Sequence, residues 1–136
     1  MDRLFVDTNI FLRYLTNDDP AKAERVEKVF RKAVDGQLRL ISNLMVVAEL
    51  VWTLESYYGL ARTDIKDKLS LLLNTPNLDI PEKQRILSAL ALYGEQNIDF
   101  IDAYNAYFSK EQKISVVLTY NKKHFDRIPW LQRREP

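Results

Sequence analysis

The amino-acid sequence predicts one α/β domain, a central parallel sheet flanked by helices on both faces, and three observations lead there. Apolar, strand-like runs alternate with stretches of helical spacing along the whole chain. The run Leu4-Phe5-Val6 is continuous, which suits a parallel strand buried on both faces, and Ile114 to Leu118 is the most β-branched of the rest and reads as a buried strand. Each ends in polar residues, Asp7-Thr8-Asn9 and Thr119-Tyr120-Asn121. Those stand at the carboxyl ends of strands, where open α/β sheets hold their ligands.

In order, Leu4 to Val6 form the first strand. Thr8 or Asn9 caps a helix whose Ile10, Phe11, Tyr14 and Leu15 share one face. Asp19-Pro20 opens a second helix, with Asp19 as cap and Pro20 in the first turn. Ala23, Val26, Val29, Phe30 and Ala33 keep helical spacing until Gly36 stops it. Leu38 to Ile41 is a short strand, and Ser42 or Asn43 caps a helix from Leu44 to about Tyr58, before Gly59. Thr63 starts another, ending at Asn74-Thr75-Pro76. Leu78 to Ile80 is a brief strand, Pro81 begins a helix that stops at Gly94, and Phe100 to Lys110 is helical. Ile114 to Leu118 is a buried strand. The tail from Asn121 to Pro136 is polar apart from Ile128-Pro129-Trp130.

The 136 residues suit a single domain, 1–136, with a sizeable core. Lys plus Arg number 20 against 19 Asp plus Glu, which argues against a bulk basic coat for nucleic acid but leaves room for a local patch. Cysteine is absent, so disulfides, thiolate metal sites and cysteine nucleophiles are excluded. With His124 the sole histidine, a multi-histidine zinc site is excluded too. The N-terminus enters a strand without a leader pattern and no apolar run is long enough for a bilayer. A cytoplasmic protein with no membrane partner is expected.

Four acidic residues stand out. Asp7 closes an apolar strand, where a carboxylate has a desolvation cost unless a cation or hydrogen-bond donor meets it. Glu49 interrupts Leu44 to Trp52, a helix apolar nearly all round and so expected to be buried on more than one side. An ion pair or a solvent-facing position explains Glu49 equally well. Asp99 and Asp102 share one face at the start of a helix. Capping and the positive helix end account for that pair without any catalysis. Should all four converge, a cation must relieve their repulsion. Hard carboxylate oxygens favour magnesium or manganese over zinc, and metal-assisted phosphodiester hydrolysis is then the natural chemistry.

Three segments in order, Phe5-Val6-Asp7-Thr8-Asn9-Ile10, Val47-Ala48-Glu49-Leu50-Val51-Trp52 and Asp99-Phe100-Ile101-Asp102-Ala103, resemble the PIN-domain nucleases. Within them the chain is similar to the VapC toxins of type II toxin–antitoxin pairs, over nearly its whole length and including Thr119-Tyr120-Asn121-Lys122-Lys123-His124-Phe125. The resemblance implies a Mg2+- or Mn2+-dependent endoribonuclease that acts on RNA, forms a homodimer, and is blocked by a cognate VapB-like antitoxin. It assigns Asp7, Glu49 and Asp102 to the acidic core that holds the metal and Asp99 to a more variable acidic position. Thr8, Asn9 and Thr119 become groups that orient carboxylates or water. Asn121 stands where many PIN domains carry Asp, which keeps an oxygen ligand but removes a charge.

Substrate contacts are expected from Arg13, Lys122, Lys123 and Arg127, with basic groups on phosphates. Solvated surface charge explains each of them singly. Trp52, Tyr57 and Tyr58 read as core or dimer interface. A haloacid-dehalogenase-type phosphatase would need a second Asp where Asn9 stands, and a phosphoacceptor receiver domain has no place for Glu49 and Asp102. A catalytically idle PIN fold used as a binding scaffold is the main alternative.

Overall fold

Strands and helices alternate as the spacing predicts in the computed structural model, which describes all 136 residues. The order is β1 (Asp2–Phe5), α1 (Thr8–Leu15), α2 (Pro20–Val34), β2 (Leu38–Ile41), α3 (Leu44–Ser56), α4 (Arg62–Leu73), β3 (Leu78–Asp79), α5 (Lys83–Gln96), α6 (Phe100–Glu111), β4 (Val116–Leu118), α7 (Lys122–Phe125) and β5 (Gln132–Arg134). Every strand pair is parallel. β1 pairs with β2 from Asp2 opposite Leu38 to Phe5 opposite Ile41, and β2 pairs with β3 at Leu40–Leu78 and Ile41–Asp79. β4 pairs with β5 from Val116–Gln132 to Leu118–Arg134.

The starts of α1, α2, α3 and α7 follow from capping chemistry. Asp19 accepts the Lys22 backbone N–H ahead of Pro20, and Asn43 accepts that of Val46. For α1 the cap is Asp7, one residue earlier than the sequence suggested; its side chain accepts the Thr8 N–H at 2.8 Å. Ala61, not Thr63, precedes α4, and no side chain caps it. α5 runs past Gly94 to Gln96 and ends at Asn97 in the left-handed region. Gly94 is there for closeness instead: a Cβ on it would lie 2.6 Å from Lys66 Cβ on α4.

One contiguous core joins the inner faces of α1 to α6, with Phe11, Phe30, Leu40, Leu50, Leu54, Leu69, Leu90 and Tyr93 among its buried members. The parallel strands fall into two sheets, β1-β2-β3 and β4-β5, rather than one. The apolar strands at the division are accordingly less covered than their sequences suggest. Leu4 is 42% exposed, Phe5 59% and Leu118 65%, and neither β1 nor β4 has a neighbour on its second edge. The polar tail, unassigned by pattern, supplies α7 and β5, and Trp130 anchors it by donating its indole N–H to the Ala106 carbonyl at 2.9 Å. No helix is long and apolar enough to cross a membrane.

Candidate active site

The start of α6 gathers the chain's densest set of potential metal ligands. Asp99 is its N-cap residue and Asp102 lies in its first turn, so both carboxylates sit at the positive end of the helix dipole. The segment after β4 comes back to them. Asn121 caps α7 by accepting the His124 backbone N–H at 3.3 Å, while Thr119 Oγ1 accepts the Asn121 N–H at 3.0 Å. This local turn aims two side chains at one oxygen. Asn121 Nδ2 donates to Asp102 Oδ2 at 2.9 Å, and His124 Nδ1 stands 2.7 Å from the same atom. His124 Nδ1 is also 3.5 Å from Asp99 Oδ2. Ligand atoms of Asp99, Asp102 and His124 all lie within 4.8 Å of one another. His124 is buried, at 7% exposure, whereas Asp99 opens to solvent.

On the far side of Asp99 stands Arg62, the first residue of α4. Its Nη2 donates to Asp99 Oδ1 at 2.5 Å and its Nε to Glu55 Oε1 at 3.0 Å, with the guanidinium carbon 4.8 Å from the centre of the Tyr93 ring. Burial works to lower the pKa of Arg62, but its hydrogen bonds to Asp99 and Glu55 override that and raise it. Tyr93 donates its hydroxyl to Glu55 Oε2 at 3.0 Å; burial, then that hydrogen bond, push its pKa well above the usual tyrosine range.

The remaining residues singled out by sequence lie as follows. Asp7 is exposed and engaged only by the Thr8 N–H; Thr8 is buried and Asn9 exposed. Glu49 is exposed on the outer face of α3 beside Met45 and Trp52, while Val46, Val47, Leu50, Val51 and Leu54 form the buried face. Trp52 is 67% exposed, so it is not core. Neither Asp7 nor Glu49 joins the Asp99–Asp102–His124 cluster. Arg13 pairs with Asp18 at 3.4 Å, and Arg127 donates to the Asn97 carbonyl at 2.9 Å. Lys122 and Lys123 are exposed beside the cluster. Two contributors escaped the sequence reading. His124 follows Asn121 by one helical turn, a spacing that signals a shared partner, whereas nothing local links Arg62 to Asp99.

The donor set suits a small divalent cation. Asp102 Oδ1 and Asp99 Oδ2 have no hydrogen-bond donor within the chain, while their companion oxygens are held by Asn121, His124 and Arg62. Carboxylate oxygens at a helix N-terminus with one imidazole nitrogen nearby match the hard to borderline ions.

The family model of the PIN domain matches residues 4–131, and the chain belongs to that family. Among proteins of known activity it is similar to the VapC ribonuclease of Aquifex aeolicus (strain VF5), 26% identical over 118 residues that cover 87% of each chain. Among solved structures it is similar to the crystal structure of VapBC2 from Rickettsia felis bound to a DNA fragment from their promoter. That match is 18% identical, spans 99% of this chain and 98% of the other, and has a TM-score of 0.39.

Proposed function

We propose that the chain is a metal-dependent endoribonuclease and the toxin of a VapBC-type toxin–antitoxin pair, acting in the cytoplasm. The observation that carries this reading is the Asp99–Asp102–His124 cluster at the start of α6, in a PIN-domain chain similar to a VapC ribonuclease. Asp102 and Asp99 would hold a Mg2+ or Mn2+ ion, with Asp7 and Glu49, both exposed and free of counter-ions, as the further carboxylates. The ion would supply an acidified water and charge stabilisation on the scissile phosphate. Asn121 and His124 orient Asp102, and Thr119 holds the Asn121 turn. Exposed Lys122 and Lys123 would take RNA phosphates, and exposed Tyr120 would stack a base. Arg13 and Arg127 already have partners and contribute less.

A VapB-like antitoxin is the partner that the VapC similarity suggests. A groove lined by Leu4, Phe5, Ile10 and Val29 with Arg13, Lys22 and Arg25 at its rim fits an apolar segment that carries acidic residues. A homodimer would cover further apolar surface on α3. The idle-scaffold reading has one observation in its favour, the separation of Asp7 and Glu49 from the cluster.

Cleavage of a mixed cellular RNA pool, with Mn2+ and with chelator, decides between them. Defined fragments that need metal and fall at least about a hundredfold in Asp102→Asn and Asp7→Asn support the nuclease. Uncut RNA from folded, antitoxin-free protein supports the scaffold. Loss in Asp102→Asn alone removes Asp7 from the site.

A further inference from the structure

We propose that Arg62 is a positioning residue that sets how tightly the acidic cluster holds a divalent cation. Its guanidinium is a resident counter-charge that pins one oxygen of Asp99 and leaves the other turned toward Asp102 and His124. The inference rests on the metal-dependent reading above.

Neither member of the pair is held in it by a capping role in its own helix. Asp99 occupies the N-cap position of α6 yet makes no capping hydrogen bond; its carboxylate turns to Arg62 instead. Arg62 is the first residue of α4, where a cation opposes the helix dipole, and no side chain caps that helix. Local energetics therefore explain neither the position of Arg62 nor the direction in which the Asp99 carboxylate turns. The tertiary contacts do: Arg62 bridges Glu55 and Asp99 through two different nitrogens and lies against the Tyr93 ring, while Tyr93 in turn fixes Glu55. The grip is tight enough to leave Arg62 Nη1 buried without a partner, a cost that only strong charge-assisted bonds offset.

The geometry has two effects on a cation at the cluster. Asp99 offers it Oδ2 more readily than Oδ1, which already accepts from Arg62. The Asp99 charge is already partly answered, since a positive group stands 2.5 Å from its carboxylate, so an incoming ion meets a weaker field. Glu55 moderates this by drawing the same guanidinium the other way.

The test is calorimetric titration of Mn2+ into the full-length wild type, Arg62→Gln, Arg62→Lys and Glu55→Gln at one ionic strength, with thermal unfolding confirming that each is folded. Arg62→Gln removes the counter-charge and is expected to bind Mn2+ more tightly, on the order of tenfold. Arg62→Lys keeps the charge but loses the two-nitrogen grip, and is expected to fall between wild type and Arg62→Gln, a partial rescue that loss of packing alone would not give. Glu55→Gln leaves Arg62 to Asp99 alone and binds about threefold more weakly. An Arg62→Gln protein with wild-type or weaker affinity overturns the proposal, and so does an unchanged Glu55→Gln should Arg62→Gln fail to fold. A wild type that takes up no Mn2+ overturns the metal reading itself, and the role of Arg62 with it.

Discussion

The two oxygens of Asp102 live differently. Oδ2 receives Asn121 and faces His124, and Oδ1 is free of the chain. The buried imidazole is thus a support for the carboxylate. Replacing it by Ala is expected to cost about 1–3 kcal/mol of stability in denaturant unfolding. The same substitution should lower Mn2+-dependent cleavage by roughly ten- to a hundredfold. Tyr93 carries a pH signature. Its folded-state pKa lies above that of the unfolded chain, so the phenol ionises first in unfolded molecules. Its contribution is fully present below pH about 10 and lost as pH climbs beyond that value. Tyr93→Phe is expected to flatten the alkaline limb of a stability–pH curve, with a residue left by Tyr58, Tyr104 and Tyr107, whose pKa values are raised too. The sequence marked Asp99 and Asp102 because two acids on one helical face are visible in a string of letters. Arg62 was invisible, since its meeting with Asp99 depends on how α4 and α6 are placed in space.

Two helix starts were legible because capping is local chemistry: Asp19-Pro20 and Asn43 do in space what their residue types suggest, whereas α4 and α5 begin at Arg62 and Lys83 without a side-chain cap rather than at Thr63 and Pro81. Asp7 took the cap of α1 from Thr8 and Asn9, which is the reason its carboxylate lies at the strand–helix junction with one N–H already on it. For Glu49 the sequence left an ion pair or a solvent-facing position open beside a metal role, on a helix expected to be buried on more than one side. The structure instead leaves Met45, Glu49 and Trp52 in solvent, which removes the desolvation argument for that glutamate. Gly94 was read as a stop, yet it is a contact. The spacing could not distinguish the two, since a glycine ends a helix by its backbone freedom and admits a neighbour by its missing side chain. Gly94→Ala tests the distinction. At an ordinary helix interior it would stabilise by roughly 1 kcal/mol. Here the methyl meets Lys66 at 2.6 Å, and a net loss of about 1–3 kcal/mol is expected in chemical denaturation.

For the molecule as a whole, the α/β class and the parallel direction of the four expected strands were written in the alternation of patterns, while the fifth strand and the grouping of strands were not. Strand adjacency is a non-local property, and the short, charged β5 (Gln132–Arg134) carries no apolar alternation that would announce it. The division into two sheets has a dynamic consequence. β2 has hydrogen-bonded neighbours on both edges, whereas β1, although apolar, presents one row of amides with no strand against them. Protection from solvent exchange follows hydrogen bonding rather than hydropathy. In deuterium labelling followed by fragment mass spectrometry, the amides of Leu38–Ile41 are expected to stay dark longest, and those on the open side of Asp2–Phe5 to fill early. Equal protection in the two strands would mean that a further strand lies against β1 in solution.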